Sequence, residues 1–166
     1  IEMGPALALH TLVFFLVGQR WILHHNLFVL VDRVDRGLLW ANLCALFFVT
    51  LMPLAAHLAS EHPLGPLGAM TMCLAQAGLV MSVLWMTSYI DSRRDEPNEV
   101  EMLILRRSRI SLGVQFVFLL VLVALCWTSP WFGYLGLIVI AIYHLWILGV
   151  TTGPDQLREL EASRAS

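Results

Sequence analysis

The sequence has little charge. Only 13% of its 166 residues are charged, against roughly 25% in an ordinary soluble domain. It has no lysine, and all ten basic residues are arginine. With a net charge of −2 there is no basic footprint for a nucleic-acid partner. Cysteine is sparse as well. Cys44, Cys73 and Cys126 each lie inside an apolar run, with no CxxC pair and no zinc-ligand spacing, so they read as small hydrophobes rather than a disulfide or metal framework. Enzyme signatures are missing too. No nucleophile stands beside a base, no carboxylate pair lies within an apolar run, and the glycines are scattered rather than gathered into a phosphate loop. The reading is therefore not an enzyme.

What is present is hydrophobic sequence. It makes up 58% of the chain, and the mean hydropathy is +0.76. A membrane span needs about 20 mainly apolar residues, and five segments supply them, at about 5–31, 37–58, 66–90, 110–127 and 131–150. Each is apolar nearly all round, as a helix in lipid is. The expected fold is all-α: a polytopic bundle of five transmembrane helices over residues 1–150, with a polar cytoplasmic loop at 91–109 and a short cytoplasmic tail at 151–166. Glu61-His62-Pro63-Leu64-Gly65-Pro66 and Ser129-Pro130 are turn signals. Pro53 should kink the second span or end its regular part. A helix start is expected at Pro97-Asn98-Glu99. Ala41 with Ala45, and Ala69 with Cys73 and Ala77, form small-residue stripes of the kind that let membrane helices approach closely.

Five spans put six segments on alternating sides, and all ten arginines then fall on or towards one side. That side should be cytoplasmic, which places the tail inside and the start of this chain outside, in a multi-pass inner-membrane protein. An outside start with no signal peptide asks for one more helix upstream of Ile1. Trp127 and Trp131 mark the outer boundary, and Trp21 and Trp40 the inner one.

The polar groups near the spans are few. Gln19, Arg20, His24, His25 and Asn26 end the first span. They either snorkel to water or bond to another helix, with Asn42 the nearest partner by depth and Gln76 a second candidate. His10 and His144 lie within spans and are candidates for an intramembrane hydrogen bond or ligand role. No cofactor is expected, and a haem or chlorin held by His10 or His144 is the remaining option. No metal site is expected.

The run Trp21-Ile22-Leu23-His24-His25-Asn26-Leu27-Phe28, followed by Arg33-Val34-Asp35-Arg36 and Gly37-Leu38-Leu39-Trp40-Ala41-Asn42-Leu43, with Pro53 beyond, resembles the bacterial homologues of the endolysosomal potassium channel family, transmembrane protein one-seven-five. The resemblance implies a six-helix subunit in a tetramer. Its first helix would carry a phenylalanine-serine-aspartate signature and line the pore. It also implies a polar network of Trp21, His24, Trp40 and Asn42. The five spans here look like helices two to six, and the signature is not in this sequence. Two functions follow. One is a subunit of a potassium channel, with conduction in question without the pore helix. The other is a non-conducting accessory or structural subunit of a larger membrane complex, possibly an energy-transducing one. The expected partners are the lipid bilayer, further copies of the chain or that complex, and potassium ion if it is a channel.

Overall fold

The computed structural model describes residues 3–31, 34–93 and 99–151. They form five helices, α1 (Met3–Val29), α2 (Arg36–Glu61), α3 (Pro66–Ser92), α4 (Glu99–Cys126) and α5 (Trp131–Thr151). Among the described residues there is no strand. The protein is an all-α membrane bundle. α1 to α4 are each long and apolar enough to cross a membrane, and α5 is a further apolar helix with side chains described to Trp146.

The helix limits follow from local chemistry. α1 ends in a tightened turn, with Leu30 N–H donating to Leu27 C=O at 3.1 Å. α2 starts at the Asp35 cap, whose carboxylate accepts from Leu38 N–H at 3.0 Å. α3 starts with Pro66 in its first turn, where a missing N–H goes unnoticed. α2 continues through Pro53, so the proline does not end the helix; neighbouring helices in a bundle compensate for a lost backbone bond that would end a helix in water. Residues 99–109 are the opening turns of α4, a helix leading into the fourth span. The expected start at Pro97 and Asn98 lies outside the described residues, as does the tail at 152–166.

α3 is the central helix. It is buried along most of its length, whereas α1, α2 and α4 each turn most of their surface outward. Its small side chains explain this. Gly68, Ala69, Cys73, Ala75, Ala77 and Ser82 are all buried, and the helix is thin enough for others to close round it. α2 lies antiparallel to it. Gly68 sits against the Ala59 backbone, Gly78 against the Phe48 ring and Gly37 against Tyr89. α4 and α5 are antiparallel in the same way, with Gly136 against Leu122 and Gly133 against Cys126, Ala69 and Cys73. All three cysteines are free thiols.

The bundle thus has two different ends. At one are the turns at 62–65 and 127–130. At the other, Arg109 pairs with Asp91 at 2.9 Å, Tyr89 donates to Asp35, and the Arg93 guanidinium lies 5.3 Å from the Tyr89 ring centre.

Candidate functional site

α1 carries the polar groups that tie it to its neighbours. His24 is half-buried on α1, and its Nε2 lies 2.8 Å from Asn42 Oδ1 on α2. The ring donates in the tautomer with the proton on Nε2. The Phe28 ring stacks on His24 with centroids 4.5 Å apart, fixing the imidazole plane. Helical spacing explains the geometry. Phe28 is one turn beyond His24, on the same face, and the short loop after α1 folds α2 back so that Asn42 reaches that face.

Trp21 and Trp40 stand outside this pair. They are 66% and 63% exposed. Trp21 stacks instead on His25, centroids 5.6 Å apart. Trp40 precedes Asn42 by two positions, a spacing at which helical side chains do not share a face. Both rings lie on the outer surface of the bundle, as interfacial tryptophans do.

A second set of contacts lies one turn earlier on α1. Gln19 Nε2 donates to the Ala141 carbonyl of α5 at 2.8 Å. Arg20 Nη2 donates to Gln115 Oε1 of α4. Both Gln19 and Arg20 are buried, so Arg20 does not snorkel to water. It is held among helices, because α5 packs on α1 and the Gln115 side chain of α4 reaches across to it. Gln115 carries no motif and is not singled out by the sequence; a polar residue inside an apolar run is the one signal that points to it. Gln76 is buried on α3 and meets neither His24 nor Asn42 through a hydrogen bond among the described residues.

Of the remaining histidines, His10 is apart from both sets, and His144 lies near enough to Arg20 to feel its charge. His10 Nδ1 donates to Ala6 C=O and His144 Nδ1 to Ile140 C=O, each at 2.9 Å within its own helix. His10 is exposed on α1 and His144 half-buried on α5. Among the described residues no three His, Cys, Asp or Glu side chains converge as metal ligands would.

Asp35 closes the arginine-rich end. The Tyr89 hydroxyl, then the Leu38 N–H, hold its carboxyl below the usual carboxylate range.

The family model described as endosomal/lysosomal potassium channel TMEM175 matches residues 1–53. That segment contains α1, the Asp35 cap and α2 as far as Pro53. A protein named potassium channel from Chryseobacterium sp. (strain P1-3) is 35% identical over 86 residues, covering 48% of this chain and 40% of that protein. A second so named, from Streptomyces collinus (strain DSM 40733 / Tue 365), is 34% identical over 58 residues, covering 35% and 28%. The endosomal/lysosomal proton channel TMEM175 of Rattus norvegicus is 31% identical over 72 residues, covering 43% and 14%. The chain therefore spans two fifths or less of the length of these relatives. No solved structure matches. On these matches the chain is a multi-pass membrane protein that resembles the bacterial homologues of the TMEM175 channel family, and the matched segment includes both His24 on α1 and Asn42 on α2.

Proposed function

We propose that this chain is part of a potassium-channel subunit that assembles as a tetramer in the inner membrane. The observation that supports this reading best is the His24–Asn42 hydrogen bond, which lies inside the segment shared with the channel family. A bond of this kind fixes the angle between α1 and α2. Interhelical hydrogen bonds in membranes contribute about 1 kcal/mol, enough to bias how a helix pair presents its outer faces to further copies. The two bacterial relatives are named potassium channels and the rat relative a proton channel, so the permeant ion is part of the test.

The full-length protein in potassium-loaded liposomes is expected to release potassium down its gradient. The release is read by a proton-sensing dye with a proton ionophore present; a dye signal without the ionophore reports proton passage instead. His24→Ala should slow the release several-fold or shift the tetramer to smaller species. Unchanged release and unchanged oligomeric mass in His24→Ala would remove the network's role. No flux from wild type, together with stoichiometric co-purification of a larger complex, would favour the accessory-subunit reading.

A further inference from the structure

Arg20 and Gln115 leave two hydrogen-bond donors without an acceptor in the interior of the bundle. The residues are 3% and 7% exposed. Arg20 Nη2 is taken up by Gln115 Oε1. Arg20 Nη1 and Gln115 Nε2 have no protein partner among the described residues. Both are N–H groups and neither can accept. The guanidinium cannot shed its charge by deprotonating, and His144, near enough on α5 to feel that charge but with its Nδ1 committed to Ile140 C=O, makes no hydrogen bond to it and brings no negative charge. Gln76 makes a useful contrast. Its orphans are one donor and one acceptor, a set that a neutral polar molecule satisfies.

No acid with a described side chain supplies the charge. Asp35 accepts from Tyr89 and Leu38, Glu61 faces His57 at 3.4 Å, and Asp91 pairs with Arg109. Both residues are buried inside the bundle, where an uncompensated cation is strongly unfavourable.

We infer that Arg20 and Gln115 form a binding site for a small monovalent anion of the halide class, enclosed by α1, α4 and α5. The anion accepts from Nη1 and Nε2 and neutralises the guanidinium, pinning α1 to the rest of the bundle. A halide fits because it needs only donors and one positive charge. The inference is independent of whether the chain passes cations.

The test is the thermal midpoint of the full-length protein in lipid nanodiscs, followed by tryptophan fluorescence. Sodium chloride or bromide is titrated against sodium gluconate at matched ionic strength. The midpoint should rise saturably by about 3 °C in either halide and stay level in gluconate. Arg20→Met should abolish the rise. Gln115→Leu keeps the charge and removes one donor, so it should move half-saturation about tenfold higher. It also keeps the test decisive if Arg20→Met fails to fold. Equal midpoints in halide and gluconate would overturn the inference, as would an undiminished rise in Gln115→Leu. A carboxylate from another chain occupying the site would give the first of these results.

Discussion

Asp35 is the residue whose surroundings make the clearest demand on pH. It caps α2 through Leu38 N–H and receives the Tyr89 hydroxyl from α3, so one carboxylate joins a helix start to a neighbouring helix. Both donors favour the ionised form and lower its pKa. A group lowered on folding contributes stability that is complete above its unfolded value, about 4, and is lost as pH falls through the folded value. The wild-type midpoint should therefore drop as pH falls below about 4. Asp35→Asn keeps a cap acceptor without the charge, so its midpoint should start lower and fall less over that range. A parallel fall in both proteins would contradict the assignment. Asp35 was visible in the sequence only as part of a charged loop. Its role depends on Tyr89, 54 positions away, and no local pattern encodes that. His24 and Asn42 were legible from depth alone, since both lie near the same end of consecutive spans. Arg20 and Gln115, 95 positions apart, were not, because their meeting depends on how α4 packs against α1.

Helix α3 shows what hydropathy reads well and what it misses. The length of each apolar run located all five helices to within a few residues, except that α4 begins earlier, at Glu99. Charged residues 106, 107 and 109 kept its first turns out of the apolar run, and the helix-start signal at Pro97-Asn98-Glu99 marked them instead. Close approach was harder to see. The stripe of Ala69, Cys73 and Ala77 is indeed buried, but α2 and α3 also approach closely at Gly68 and Gly78, ten positions apart and outside that stripe. At Gly68 an added Cβ meets the Ala59 backbone, which cannot rotate away. Gly68→Ala must therefore spread the two helices, at a cost of about 1–3 kcal/mol. Gly113 on α4 has open space at its Cβ position, and Gly113→Ala should be neutral or stabilising by up to about 1 kcal/mol. Thermal midpoints of the two variants should move in opposite directions, or one should fall and the other hold. Equal falls would mean that backbone entropy, and not the α2–α3 approach, governs these positions.

At the scale of the molecule the two ends of the bundle differ in charge, and that difference carries a topology. Ala59 with Gly68, and Cys126 with Gly133 and Ala69, gather the 62–65 and 127–130 turns at one end. Asp35 with Tyr89, and Asp91 with Arg109, gather the other connections at the opposite end. The arginines at positions 36, 93, 106, 107 and 109 belong to that second end, while among the described residues the turn end has none. The bias of arginine towards cytoplasmic loops predicts that this second end faces the cytoplasm, and the prediction covers the whole bundle, since one helix cannot reverse without breaking these pairs. Single cysteines introduced at Glu61 and Thr128, in a background with Cys44, Cys73 and Cys126 replaced, should react with an impermeant maleimide from the outer face of intact cells. Cysteines at Arg36 and Arg93 should react only in inside-out vesicles. Reversed labelling at all four positions would keep the bundle and overturn the orientation. Labelling that separated Glu61 from Thr128 would be the more serious result, because the antiparallel packing of α4 and α5 beside α3 requires those two turns to share a face.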